Sequence, residues 1–327
     1  MEWSTRITDL LGCKYPIIQG AFHRFGTAAL AAPVSEAGGF GIITASALNT
    51  PEKLREDIRR ATSMTDKPFG VNLTVGLCPQ IEEMRDVVIE EGIRAVETAA
   101  YRAEDHGRKL KEAGVKWIHK VATMKHALAA ERQGADAVVI VGLEGTGFKH
   151  SSQLPTLISI TWAVKQIKIP VIAAGGIGDA RGFLAALSMG AEGVYMGTAF
   201  MATDECPVPE QFKQALVKAD PTDPTYRERC LATSKSEEYE RVMRMKGSVP
   251  LDRWLSELRG AQVTPLEGGR SDDMEEVGRL RGGSLAVAVI DEVVSVRKRI
   301  EEIVRGAEEI VTSGNFPRVR NFLTVKE

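Results

Sequence analysis

Cysteine is scarce. Cys13, Cys78, Cys206 and Cys230 are the only four in 327 residues, and none forms a CxxC pair. That excludes a disulfide scaffold and offers neither a zinc motif nor a redox dithiol, so no metal site is expected. Reduced thiols in a cytoplasmic protein are the reading this pattern supports. An excess of one charge is missing too: 42 Lys and Arg face 44 Asp and Glu, a net charge of −2. Nothing there would hold a nucleic-acid backbone, and no polybasic run would meet an anionic membrane. There is no run of 18 apolar residues to span a bilayer, and the charged Met1–Leu11 stretch lacks the apolar run of a signal peptide. The 31 glycines show no period of three, which excludes a collagen-like chain. What is there is ordinary for a folded domain: 43% apolar and 26% charged residues, enough to bury a full core.

The first 200 residues alternate short Val/Ile-rich runs with longer amphipathic stretches. Eight runs read as strands: Pro16–Gln19, Phe40–Thr44, Phe69–Leu73, Ala95–Thr98, Trp117–Val121, Ala137–Val141, Pro170–Ala174 and Gly193–Met196. They recur about every 25 residues, the length of a strand, a helix and two short loops. Fully apolar short strands suit a parallel sheet covered by helices. The intervening stretches carry helix signals. Thr50-Pro51-Glu52 places a cap, a first-turn proline and a first-turn acid in order, ahead of Lys53–Ser63. Asp179 opens a helix over Gly182–Met189, and Gly114, Gly134 and Gly190 each end a helix before a strand.

Eight such units predict an α/β fold, a closed (β/α)8 TIM barrel; the other architecture is an open doubly wound sheet. No GxGxxG follows the first strand, which speaks against dinucleotide binding. The rhythm stops after residue 204. The expected division is a barrel over 1–204, an inserted, mostly helical lid or substrate segment over 205–281, and a C-terminal helix and tail over 282–327. Within the insertion, Pro209–Lys218 and Ser236–Met245 read as helical pieces. Tyr239, Met243, Met245 and Trp254 either anchor it to the barrel or form a small core of its own. Leu285–Val304 reads as one long amphipathic helix closing the barrel. The insertion's helices also offer a homodimer contact.

In barrels of this type the chemistry sits at the C-terminal ends of the strands, with phosphate often gripped after the seventh and eighth. Here the seventh ends Ala174-Gly175-Gly176 and the eighth Met196-Gly197-Thr198. Glycines let backbone N–H groups approach a dianion, helix N-termini add partial positive charge, and the Thr198 hydroxyl adds a donor. Each element alone is ordinary turn geometry; the two together predict a phosphate site. Other polar residues fall at strand ends: the Gln19-Gly20-Ala21-Phe22 turn, Asn72, Lys120 and Glu144. Lys120 inside a barrel is costly unless paired. It is either the partner of Glu144 or a positive charge beside an electron-rich cofactor edge.

Pro16–Gly20, Ala31–Gly41 (AAPVSEAGGFG), Lys67–Asn72, Lys120–His126 followed by Gly134-Ala135-Asp136, Pro170–Gly176 and Met196–Thr198 together resemble the nitronate monooxygenase family and its relatives, the flavin-dependent enoyl-acyl-carrier-protein reductases. The likeness covers roughly residues 7–204 and returns at Gly282–Leu285. It implies a (β/α)8 barrel with bound FMN, and NAD(P)H as a candidate reductant. Its phosphate would lie on Gly175, Gly176, Gly197 and Thr198, flanked by Ala174 and Met196. Asn72 and the turn Gln19, Gly20, Ala21 and Phe22 would touch the isoalloxazine ring. Glu144, Gly145, Thr146 and Gly147 would complete the cofactor site. Lys120 would stand near the N1/O2 edge, where a cation favours the reduced, anionic form.

One departure stands out. The family's loop after the sixth strand reads E-A-G-G-H; here it reads Glu144-Gly145-Thr146-Gly147-Phe148, with Lys149 and His150 next. Phenylalanine at the histidine position relays no proton. His150 and His23 are the alternative catalytic candidates beside Lys120. The functional expectations are FMN-dependent oxidation of nitronate-like carbanions with O2, or NAD(P)H-dependent reduction of an enoyl thioester or quinone. Beside them stand an FMN-binding protein without turnover and a non-flavin phosphate-binding barrel. The expected partner is a small-molecule substrate.

Overall fold

The computed structural model describes residues 2–22, 25–147, 149–231, 241–242, 244–245, 248–250, 253–254, 257 and 283–313. Eight strands occupy the positions the apolar runs predict: β1 (Ile17–Gln19), β2 (Ile42–Thr44), β3 (Gly70–Thr74), β4 (Ala95–Ala99), β5 (Lys116–Val121), β6 (Ala137–Val141), β7 (Val171–Ala174) and β8 (Gly193–Met196). All pair in parallel, each of β2 to β7 with its successor and β8 with β1. The remaining seam, β1 to β2, is closed by a bridge between Ile18 and Phe40: Gln19 N donates to Phe40 O, and Phe40 N to Ile17 O, both at 2.9 Å. The Gln19 Oε1 accepts Ile42 N–H at 2.9 Å and reinforces the seam. The result is a (β/α)8 barrel.

Alternation along each strand sorts the side chains. Ile18, Ile42, Ala95, Ile118, Val139, Ile172, Ala174 and Tyr195 fill the interior, while Ile17, Ile43, Val71, Val96, Trp117, Val138, Val171 and Val194 face the helices. Helix α1 (Arg6–Leu11) plugs the N-terminal end: Ile7 and Leu11 are fully buried in the interior cluster, and Ile7 lies against Gly193 at the start of β8.

The barrel helices are α2 (Ala28–Glu36), α3 (Pro51–Met64), α4 (Ile81–Glu90), α5 (Glu104–Glu112), α6 (Met124–Arg132), α7 (Thr156–Ala163) and α8 (Ala180–Ser188). Caps set their starts. Thr50 Oγ1 accepts Lys53 N–H, Thr123 accepts His126 N–H, and Asp179 accepts Gly182 N–H. Gly114, Gly134 and Gly190 follow the helix ends at φ of 80°, 89° and 96°, a conformation that favours glycine.

After β8 come a single turn, α9 (Thr198–Met201), then α10 (Glu210–Val217) and α11 (Pro224–Leu231). Most of 232–282 lies outside the described residues, as do Tyr239, Met243 and most of the Ser236–Met245 piece. Trp254 is buried against Val242, Met245 and Val249, and also stands edge-on to Tyr101 of the β4–α5 loop at 5.6 Å. It therefore belongs both to a local cluster and to the barrel's C-terminal rim.

The long helix expected over Leu285–Val304 is corrected. Leu285–Val289 is a 3-10 turn, and the helix, α12, runs from Val296 to Ser313. The backbone between them is engaged elsewhere. Leu285 N donates to Glu144 O, and Val294 forms a parallel bridge with Thr203. Only at Ser295, whose Oγ accepts Lys298 N–H, does a helix begin. α12 packs against α8 and α2, with Gly306 closely apposed to Ala180.

Candidate functional site

Two groups of residues meet at the C-terminal end of the barrel. The first is polar and lies inside it. The β3–β4 register sets Asn72 beside Glu97, and alternation turns Lys120 of β5 and Tyr195 of β8 into the same layer. Glu97 Oε2 accepts from Asn72 Nδ2 and from the Tyr195 hydroxyl, both at 2.8 Å. Glu97 Oε1 lies 3.2 Å from Lys120 Nζ. Lys120 Nζ also donates to the Tyr195 hydroxyl at 3.1 Å, and Ala21 N–H donates to that same oxygen at 2.6 Å. Burial, then the charge of Glu97, holds the Tyr195 phenol well above the ordinary range, so it stays protonated. Lys120 is thus paired, but with Glu97 rather than Glu144. The Glu144 carboxylate accepts Thr156 N–H and Oγ1–H, both at 2.8 Å, and anchors the start of α7.

The second group is a set of backbone donors at the ends of β7 and β8. The N–H groups of Gly175, Gly176, Gly197 and Thr198 donate to no other described residue. Gly175 and Gly176 have φ of 104° and 74°, and a Cβ placed on Gly197 would meet no atom of the described residues within 4 Å. Thr198 Oγ1 accepts Ser284 N–H at 3.0 Å and lies 2.8 Å from Ser284 Oγ, so the 283–285 turn abuts the β8 end. The helix contribution is smaller than the sequence suggests: α9 is one turn, and α8 already carries the Asp179 carboxylate at its start. Four N–H groups without a described acceptor, with open space at Gly197, suit a phosphate. Among the described residues, two buried polar atoms lack hydrogen-bond partners at the same end, Glu97 Oε1 and Thr44 Oγ1 of β2.

The remaining candidates are placed as follows. Gln19 is fully buried, its Nε2 bonded to Gly20 O and its Oε1 to β2. Gly20 lies against the Tyr195 ring, Ala21 packs on the interior cluster and Phe22 on the outer one. The Asn72 amide is committed within the layer, since its Oδ1 also accepts from Thr74 Oγ1 at 2.8 Å. Ala174 lies in the interior and Met196 in the outer cluster. Gly145 N donates to Gly142 O, Thr146 is half-buried, and Gly147 is exposed at φ 105°. Lys149 donates to Leu143 O, and burial pushes its ammonium down to about 8. His150 does not join the Lys120 layer. Its Nδ1 accepts Ser152 N–H at 3.0 Å, and its ring stands 5.4 Å from that of His126 at the start of α6. His23 and Phe148 lie outside the described residues.

Reasoning from the sequence misses Glu97 and Tyr195. Glu97 sits in Ala95-Val96-Glu97-Thr98, where a carboxylate in an otherwise apolar strand is the available signal. Tyr195 passes as an ordinary aromatic of a strand.

The family model for nitronate monooxygenase matches residues 4–305. The chain belongs to the nitronate monooxygenase family. It is thereby a member of an oxidoreductase family. A probable nitronate monooxygenase of Staphylococcus saprophyticus is 35% identical over 68% of this chain and 75% of its own length. The (3aS,4S,5R,7aS)-5-hydroxy-7a-methyl-1-oxo-octahydro-1H-indene-4-carboxyl-CoA dehydrogenase of Mycobacterium tuberculosis is 34% identical over 94% of this chain and 97% of its own. Among solved structures, FabK of Thermotoga maritima superposes with a TM-score of 0.74 at 34% identity, covering 98% of this chain and 99% of that one.

Proposed function

We propose that this nitronate monooxygenase family member is an FMN-dependent oxidoreductase acting on a small molecule whose reacting centre is, or becomes, a carbanion. The free N–H groups of Gly175, Gly176, Gly197 and Thr198 carry this reading, because they offer a dianion donors that nothing else in the described chain uses. FMN, when bound, supplies the two-electron chemistry. The chain's own residues do the rest. The glycine ends of β7 and β8 take the phosphate. Lys120 places its ammonium at the barrel mouth, and Tyr195 and Glu97 fix its position. Nitronates are the first substrate class to try: a nitronate is already a carbanion, so it requires no strong base, and His150 stands apart from the Lys120 layer.

Thioester chemistry is the second reading, favoured by coverage. The carboxyl-CoA dehydrogenase and FabK match nearly the whole chain, whereas the staphylococcal relative matches about two thirds of it. Under that reading residues 205–281 form the substrate segment.

Purified protein is expected to be yellow, with FMN identified by mass spectrometry after denaturation. A colourless protein that also fails to take up added FMN would refute the flavin reading and leave a phosphate-binding barrel of another chemistry. Oxygen uptake with alkyl nitronates supports the first reading. Turnover confined to NADH or NADPH with enoyl thioesters or quinones assigns the second. A yellow protein inert in every assay points to binding without turnover.

A further inference from the structure

Glu97 is 1% exposed, and a carboxylate is not left in a barrel interior without compensation. Its surroundings define its contacts. The Tyr195 oxygen accepts from both Ala21 N–H and Lys120 Nζ, so its single hydrogen points to Glu97 Oε2. Asn72 Nδ2 donates to the same Oε2. The other oxygen, Oε1, has no hydrogen-bond donor in good geometry and faces the Lys120 ammonium at 3.2 Å. A proton on Oε2 would confront two donors, and one on Oε1 would confront an ammonium. The arrangement makes Glu97 the acceptor for Tyr195 and Asn72 through one oxygen and the ion-pair partner of Lys120 through the other.

We propose that Glu97 is a positioning residue, the fixed counter-ion of Lys120, which holds the ammonium and the Tyr195 hydroxyl in one geometry and cancels the net charge of the barrel floor. Lys120 pairs with Ala99, two residues further along the strands than Glu97, and keeps 19% of its side-chain surface exposed against 1% for Glu97, so the lysine stands nearer the mouth and the carboxylate backs it from below. A cofactor or substrate at the mouth then meets the positive end of an ion pair, whose field falls off faster than that of a lone lysine. This inference rests on the flavin reading for its effect on FMN, but the pairing itself does not.

Three variants test it: Glu97→Gln, Lys120→Met and the double variant. Glutamine keeps an acceptor for Tyr195 and Asn72 while removing the charge. In FMN-loaded protein, Glu97→Gln should raise the ratio of reduced to oxidised flavin at fixed poise at least tenfold, about 30 mV for a two-electron couple. Lys120→Met should lower the ratio, and the double variant should return towards the parent. An unchanged potential in flavin-loaded Glu97→Gln overturns the proposal, since a merely structural glutamate would leave the potential alone.

Thermal unfolding of the flavin-free variants separates the two readings. The double variant should lose less melting temperature than the two single losses combined. If the parent takes up no FMN, the flavin reading fails, and additive melting losses would then overturn the counter-ion on its own terms. If Glu97→Gln does not fold but the double variant does, that rescue supports the pair. If both fail while Lys120→Met folds, Glu97 serves Asn72 and Tyr195 instead, and the proposal falls.

Discussion

Single residues in this barrel differ sharply in what they do at the same depth. His119 and Lys120 are neighbours on β5, yet they face opposite ways. Lys120 joins the interior layer, while His119 faces the helices, its Nδ1 2.8 Å from Thr98 Oγ1. Burial pushes the His119 imidazole down to about 4 from the ordinary 6.5. The unfolded chain therefore binds more protons between those values, and stability falls as pH drops through that window. The loss should be about 2 kcal/mol from about pH 7.5 to about pH 5. Urea unfolding at the two pH values should show this in the parent protein and a markedly smaller loss in His119→Gln. Equal losses would assign the acid sensitivity to other groups. Sequence alone makes His119 and Lys120 equally visible as polar breaks in a strand, but not which of them is paired. Glu97 escapes notice for the same reason. Its role depends on β5, which pairs directly beside it, and on β8, which is distant in sequence and brought within reach only by closure of the barrel.

At the scale of elements, the strands are legible because eight short, mostly apolar runs at nearly even spacing admit few topologies. The helix starts at Thr50 and Asp179 are legible because capping is local. The stretch 285–295 is not, because its periodicity fits a helix while its N–H and C=O groups are claimed by Glu144 and by the 202–204 backbone. Glu144 shows how such long-range ties govern local structure. Its carboxylate binds Thr156 at the start of α7 through two hydrogen bonds, and its carbonyl holds Leu285. Glu144→Ala removes a charged acceptor from both Thr156 donors and should cost about 1–3 kcal/mol in urea unfolding. Thr156→Ser, which keeps both donors, should cost far less. A cost below about 0.5 kcal/mol for Glu144→Ala would show that water satisfies Thr156 as well as the carboxylate does.

The barrel is polarised along its axis, with a buried apolar plug at one end and the polar layer and free N–H groups at the other. That separation predicts that stability and cofactor binding can be changed independently. Leu11 is fully buried in the plug, so Leu11→Ala should cost about 2–5 kcal/mol of stability. Because the plug lies a full strand length from the glycine ends, FMN should still raise the melting temperature of this variant by the parent's increment. Gly197→Asp should behave in the opposite way. Gly197 has φ −99°, and no atom of the described residues lies within 4 Å of the place a Cβ would take, so a side chain enters there without strain, beside the N–H groups proposed for phosphate. The variant should melt near the flavin-free parent and gain nothing from added FMN, since its carboxylate occupies and repels the anion's place. Gly175→Asp is the weaker probe of the same idea, because Gly175 sits at φ 104° with Gly142 O only 3.0 Å from its Cβ position, and would be strained regardless of any ligand. Full FMN stabilisation in a folded Gly197→Asp would place the phosphate elsewhere, and loss of FMN response in Leu11→Ala would show that the two ends of the barrel are coupled after all.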